Sequence, residues 1–217
     1  DTPGNTTICA GGSLTFQITG FENNPPSTTY TIVFSDGTTL PTITHPPPSS
    51  ITHQFNVTSC GTNSGGFMNS FSATISASNL CATSTATVAP ILISSDPVAD
   101  FSFPTEPSCT NTEVCFEDLS MGNATNGSNN DCDTNPSITW QITPNTYTIS
   151  SGTLGNDFGS TNPNLWVSGS ENLCVNFTQP GNYTITQMVG NTCAIDTVSQ
   201  TICVEAPVNP QFNLSAT

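Results

Sequence analysis

Nine cysteines, two histidines and fifteen acids are the side chains in this 217-residue sequence that offer more than neutral hydrogen bonding or packing. Nucleophilic catalysis needs a Ser or Cys beside a His that a third group orients. His53 lies in the alternating run Ile51, His53, Phe55, and His45 lies in a loop beside Pro46, Pro47 and Pro48; neither belongs to a nucleophile motif. The closest carboxylates, Asp131 and Asp133, flank Cys132 in a polar stretch, whereas a catalytic pair needs a shielded pocket that separates the two acidities. Asp131-Cys132-Asp133-Thr134-Asn135 shares the first half of a calcium-loop pattern but lacks the following Gly and the distant Glu. It reads as a solvated loop, and Asp36 and Asp157 read as turn residues. No Gly-rich loop links a strand to a helix, which removes the usual phosphate cradle. The expectation is a protein without catalytic residues, metal site or cofactor, and so not an enzyme.

The cysteines point to a different chemistry. No Cys-x-x-Cys spacing occurs, and two histidines are too few to build a zinc site around them. Nine cysteines in so polar a chain imply disulfides and an oxidising, extracellular compartment. Their odd number requires a free thiol or a bridge between modules or subunits. The chain has no Lys or Arg and a formal net charge of −15. Without a basic patch it cannot neutralise phosphates, so nucleic acid and anionic membrane surfaces are not expected as partners. It also offers trypsin-like proteases no cleavage site. No apolar run approaches the ~18 residues of a membrane helix, so no membrane insertion is expected. The start at Asp1, with neither Met nor a basic-apolar leader, reads as a processed product.

Thr, Ser and Asn supply about 40% of the residues. Seven Asn-x-Ser/Thr sequons fall at Asn5, Asn56, Asn123, Asn126, Asn176, Asn182 and Asn213 and are candidates for covalent glycans, while Pro136 excludes Asn135.

What positions these residues is a repeat of alternating apolar runs. The first series is Leu14, Phe16, Ile18; Tyr30, Ile32, Phe34; Ile51, His53, Phe55; and Phe71, Ala73, Ile75, Ala77, closed by a strand over 83–94. The second is Val114, Phe116; Ile138, Trp140, Ile142; Leu173, Val175, Phe177; and Tyr183, Ile185, Val189, closed over 195–205. Period-two strands separated by Gly, Pro and Asn turns predict an all-β chain of two tandem β-sandwiches with little or no helix.

The sequence resembles polycystic-kidney-disease (PKD) repeats, the immunoglobulin-like modules of bacterial surface adhesins and gliding-associated secreted proteins. The residues that carry the likeness are Cys9-Ala10-Gly11 before Leu14-Thr15-Phe16, then Tyr30-Thr31-Ile32-Val33-Phe34-Ser35-Asp36-Gly37, Thr52-His53-Gln54-Phe55 and Ala77-Ser78-Asn79-Leu80-Cys81. Against the family's Tyr-x-Trp-x-Phe-Gly-Asp-Gly run, Ile32 replaces Trp and Ser35 replaces Gly. The second module keeps Trp140, loses the Gly-Asp-Gly turn, and matches the family's Pro-Gly-x-Tyr turn at Pro180-Gly181-Asn182-Tyr183. The resemblance implies two immunoglobulin-like sandwiches, a structural role for His53, and a spacer, stalk or adhesive function. Asp196-Thr197-Val198 fits a short O-glycosylation pattern of bacteria that secrete such repeats, making Thr197 a further glycan candidate.

Within that frame Cys115 and Cys174 fall on neighbouring strands and point away from the core, so a cross-strand bridge between them is expected. Cys9 could pair with Cys60 or Cys81, and several connectivities fit Cys109, Cys132, Cys193 and Cys203.

Family modules open with a Pro-x-Ala-x-Phe edge strand, which Pro97-Val98-Ala99-Asp100-Phe101-Ser102-Phe103 supplies for the second module. The first module reaches Cys9, aligned with Cys109, without one. A similar segment, Pro207-Val208-Asn209-Pro210-Gln211-Phe212-Asn213-Leu214-Ser215, follows the second module. The expected organisation is therefore a sandwich over 1–96 lacking its first strand, a sandwich over 97–206 with a loop insertion, and a donor strand over 207–217. Phe212 and Leu214 of one copy would complete the first sandwich of the next, building a head-to-tail filament of identical subunits. Two other readings stay open: one period of a longer tandem array, and a carbohydrate-binding adhesin module using the 119–137 loop and exposed aromatics such as Trp166.

Overall fold

The computed structural model describes residues 7–126 and 131–212. In chain order the strands are β1 (Thr7–Cys9), β2 (Ser13–Gln17), β3 (Thr29–Phe34), β4 (Ile43–Thr44), β5 (Ser50–Gln54), β6 (Phe71–Ser78) and β7 (Thr83–Ser94). They continue as β8 (Ser108–Cys109), β9 (Glu113–Glu117), β10 (Ala124–Asn126), β11 (Asp131–Asp133), β12 (Ser137–Thr143), β13 (Tyr147–Ser151), β14 (Asn172–Phe177), β15 (Gly181–Gly190) and β16 (Ile195–Glu205). A single 3-10 turn, Pro163–Leu165, is the helical structure among the described residues.

Two compact units result. Unit 1 comprises Asp1–Pro97 with Gly122–Pro136 and Asn191–Ala194, and unit 2 comprises Val98–Met121, Ser137–Gly190 and Ile195–Thr217. Contiguous limits of 1–96 and 97–206 therefore do not describe the compact units, because two segments from the second half of the sequence join unit 1. Hydrogen bonds and disulfides explain their place there. Thr125 N–H donates to Ser94 Oγ at 2.8 Å, Ser95 N–H donates to Asn123 O at 2.8 Å, and Asn191 Nδ2 donates to Ser95 O at 2.8 Å. Cys60 is bonded to Cys132 and Cys9 to Cys193.

These bonds correct the pairing of Cys9 with Cys60 or Cys81. The partners are Cys193, in the turn after β15, and Cys132, on β11, so spacing within the first module could not find them. Cys115 is bonded to Cys174, its register partner between β9 and β14. Cys81, Cys109 and Cys203 are free and exposed.

Each unit packs two sheets over an alternating core. In unit 1 the order β1-β7-β6-β3-β4 faces the pair β2-β5; in unit 2 the order β12-β15-β16-β8 faces β13-β14-β9. In both, a short strand pairs parallel to the last long one: β1 with β7, and β8 with β16. The burial pattern of β2 and β9 is the same strict alternation, which puts Leu14 and Phe16, or Val114 and Phe116, inward. Phe34, Phe55, Ile91 and Ile93 centre the first core, and Phe116, Leu173, Val175, Phe177 and Ile185 the second. In unit 2 the Tyr183 hydroxyl, fixed by the Pro-Gly turn before it, lies 2.9 Å from Gln179 O and 3.1 Å from Thr146 O.

Replacing Cys60 and Cys132 together by Ser releases the Gly122–Pro136 segment from its covalent tie. The expected loss is about 2–4 kcal/mol of stability, read as a lower denaturant midpoint than that of the parent.

Candidate functional site

In unit 2, β9 has a neighbour on each edge. β14 takes one, from Asn172 opposite Glu117 to Asn176 opposite Glu113. Residues 98–102 take the other, along the continuation of the strand over 117–121. Val98 and Met121 exchange N–H···O bonds of 2.7 and 3.0 Å, Leu119 N–H donates to Asp100 O at 2.8 Å, and Ser102 N–H donates to Glu117 O at 2.8 Å. Asp196 anchors the start of this segment, its Oδ2 accepting the Ala99 N–H at 2.8 Å. Phe101 then fills the space between the sheets, edge-on to Trp140 and Phe116 with ring centroids at 5.3 and 6.0 Å. Gln187, wholly buried, donates to Asp118 Oδ1 at 2.6 Å and accepts from the Ser120 hydroxyl at 3.0 Å.

Unit 1 repeats this frame, with no edge segment among its described residues. β2 pairs with β5 from Ser13–Gln54 to Gln17–Ser50, and among the described residues nothing pairs with its other edge. An open groove of about 470 Å³ lies there, walled by Phe16, Ile18, Ile32, Ile75, Ala77 and Val88. The register fixes the correspondence. Phe16 holds the place in β2 that Phe116 holds in β9, and the cross-strand pair Ile32–Ile75 holds the place of Trp140–Gln187. Smaller side chains leave more room, and Ile75, Ala77 and Val88 are only half-buried. The groove thus offers a row of backbone donors and acceptors beside an apolar floor, the two parts an added strand requires.

The segment from 207 to 212 matches in sequence the one that covers β9. It is exposed throughout and pairs with no strand, with Phe212 at 102% and Val208 at 94% exposure. Pro207 and Pro210 lack N–H groups, which suits an edge and not a sheet interior. Asn5, Asn213 and Leu214 lie outside the described residues, as does the side chain of Asn126.

The other glycan candidates occupy different surroundings. Asn56, Asn182 and Thr197 are exposed, while Asn123 and Asn176 are half-buried. Trp166 is not an exposed platform: it is buried, and its Nε1 donates to Ser160 O at 2.8 Å. Gly190 makes this possible, because a Cβ there would stand 2.4 Å from the Pro163 ring and 3.0 Å from Trp166. The 119–137 stretch is divided between the units at Met121–Gly122. Asp131 and Asp133 are exposed on β11 beside the bonded Cys132. Glu113, Cys115 and Cys174 approach one another closely enough to suggest a metal site, but the two sulfurs are spent in a disulfide.

The strand order decides the fold. In both units, strands two and five pair in one sheet, while strands three, six and seven share the other with a short parallel strand at its edge. The chain is a tandem pair of immunoglobulin-like sandwiches. No protein-family model and no curated protein matches it. Among solved structures it is similar to an I-band fragment of titin, with 13% identity, covering 93% of this chain and 62% of that one at a TM-score of 0.44. It is also similar to immunoglobulin domains 1–4 of Sidekick-1 (14% identity, 94% and 48% coverage, TM-score 0.43). The insect immune protein hemolin gives 11% identity, 93% and 44% coverage and a TM-score of 0.42. The chain spans less than two thirds of the length of each.

His53 Nε2 and Asp36 Oδ2 share a hydrogen bond of 2.7 Å. Asp36 also accepts the Thr38 N–H through Oδ1 at 2.9 Å, closing its turn. His53 stacks on Phe34 at 3.8 Å and meets Phe55 edge-on at 4.6 Å, so the pair is a structural clamp at the rim of the core. Burial pushes the Asp36 carboxyl up, but the hydrogen bonds from His53 and Thr38 outweigh it and hold the carboxyl below the ordinary carboxylate range. A depressed folded value means that this contribution is complete above the unfolded value of about 3.9 and is lost as pH falls through the folded one. Asp36→Asn is expected to destabilise unit 1 at pH 7, with the gap from the parent narrowing below about pH 4. Chemical denaturation at pH 7 and pH 3 checks both halves.

Proposed function

We propose that this chain is a structural subunit of an extracellular filament, in which residues 207–217 of one copy lie along the free edge of β2 and its continuation over 17–21 in the next. One observation carries the reading: the edge covered by 98–103 in unit 2 is uncovered among the described residues of unit 1, while a second segment of the same pattern is exposed at 207–212. Aligning Phe212 with Phe101 sets its ring over Phe16 and Ile32, and Leu214 follows as Phe103 follows Phe101. The contact joins two different surfaces, so each added copy presents a fresh groove and the assembly does not close. The exposure of Phe212 in a single copy leaves two fates for it, solvation or cover by another chain, and the assembly reading takes the second.

The compartment follows from chemistry. Three disulfides would not persist in a reducing cytosol, and no helix is long and apolar enough to cross a membrane. Glycans on the exposed Asn56, Asn182 and Thr197 would keep a fibre with few charged groups dispersed. This reading places the chain with the PKD-type modules of secreted bacterial surface proteins, as spacer or coat, with recognition secondary.

Removing residues 207–217 should abolish fibres in negative-stain images and in sedimentation, while leaving a folded monomer. Phe212→Ala, which forfeits about 2 kcal/mol of apolar burial per contact, should raise the assembly concentration roughly 30-fold. Fibres unchanged by the deletion would overturn strand donation. A native chain far larger than 22.6 kDa on denaturing electrophoresis would instead identify a tandem array.

A further inference from the structure

The sequence places cysteines at matching points of the two modules. Cys9 ends β1 and lies opposite Ser94 of β7; Cys109 ends β8 and lies opposite Glu205 of β16. The second pair sits in turns. Cys81 and Cys193 each stand two residues after an Asn, in Asn79-Leu80-Cys81 and Asn191-Thr192-Cys193. In both turns the Asn Oδ1 accepts the cysteine N–H, at 2.9 Å for Cys81 and 2.8 Å for Cys193. These turns join equivalent strands, β6 to β7 and β15 to β16, a place that Asn172-Leu173-Cys174, within β14, does not share. By strand position Cys109 is the counterpart of Cys9, and Cys81 the counterpart of Cys193.

Cys9 and Cys193 are bonded to each other, whereas Cys109 and Cys81 are free and exposed. The observed bond joins the short strand at the head of one module to the turn after the sixth strand of the module that follows it in sequence. Advancing that step by one module starts from Cys109 and ends at the same turn of the next first module, which belongs to another copy. We propose that Cys109 of one subunit and Cys81 of the next form an intermolecular disulfide that locks the filament covalently. The inference rests on the head-to-tail order proposed above. It leaves Cys203 as the odd thiol of the nine.

The oxidation needs a disulfide oxidant of the extracellular or periplasmic type. The Cys109 thiolate attacks one sulfur of that disulfide and expels a thiolate, giving a mixed disulfide. The Cys81 thiolate of the neighbouring copy then attacks the Cys109 sulfur and expels the second thiolate. Two protein thiols lose two electrons, the oxidant gains them, and the two protons pass to the departing thiolates.

The test uses the full chain assembled with glutathione disulfide, followed by non-reducing denaturing electrophoresis. The expected result is a ladder in steps of the 22.6 kDa subunit that collapses on reduction. Because trypsin cannot cut this chain, digestion after acidic residues and mass spectrometry should find a linked peptide pair containing Cys81 and Cys109. Cys81→Ser and Cys109→Ser should each remove the ladder, and Cys203→Ser should leave it. Sedimentation of the same samples separates the two readings. Fibres of Cys109→Ser that dissolve in detergent support both. Parent fibres without a ladder, or a Cys109–Cys203 bond within one chain, overturn the covalent lock and leave strand donation standing. Absence of fibres and of the ladder overturns both.

Discussion

An immunoglobulin-like sandwich is sealed only when both edges of its smaller sheet are dealt with, and in this protein one aromatic side chain shows what sealing requires. Phe101 is 3% exposed between Phe116 and Trp140, held there by backbone bonds from 98–102 to the strand beside it. The wholly buried Gln187 beneath it finds both its partners on the continuation of the same strand. In unit 1, where no such segment lies among the described residues, half-buried Ile75, Ala77 and Val88 remain beside an open edge. A dry edge of backbone groups and apolar side chains is a template for another strand.

With no Lys or Arg to form ion pairs, the remaining cohesion is neutral. Hydroxyls pair across strands at Thr15–Thr52, Thr74–Thr87, Thr184–Thr201 and Thr186–Ser199, which accounts for so much Thr on exposed sheet faces. Such bonds are individually small and do not weaken with salt as ion pairs do. The exception is Asp36 with His53, where the carboxylate ties a turn to the rim of the core. Disulfides supply the constraint that ion-pair networks give other proteins.

Much of the fold was legible because period-two alternation is a local signal. Leu14 and Phe16, Ile138 to Ile142, and Leu173 to Phe177 alternate in sequence and are buried in the structure. The Cys115–Cys174 bond followed from that periodicity together with the strand neighbours that the immunoglobulin-like resemblance implied. What sequence could not give was long-range. The partners of Cys9 and Cys60 lie 184 and 72 residues away, and no local pattern ties a turn at 191–194 to a strand at 7–9. Trp166 was misread for a related reason: its burial depends on Gly190 having no side chain, a contact invisible from its own loop. The repeated Asn-x-Cys spacing was a partial clue, because Asn172-Leu173-Cys174 shares it and only the strand order singles out Cys81 and Cys193 as equivalents.

The bond between Cys9 and Cys193 also governs how the molecule would stretch. It short-circuits 184 residues, which fully drawn out would add about 600 Å of slack. A pull applied before Cys9 and beyond β16 would run through sulfur, and the loop between the two bonded cysteines would bear none of it. Under such a pull that length is released only when the bond is reduced, so reductant rather than load would draw it out.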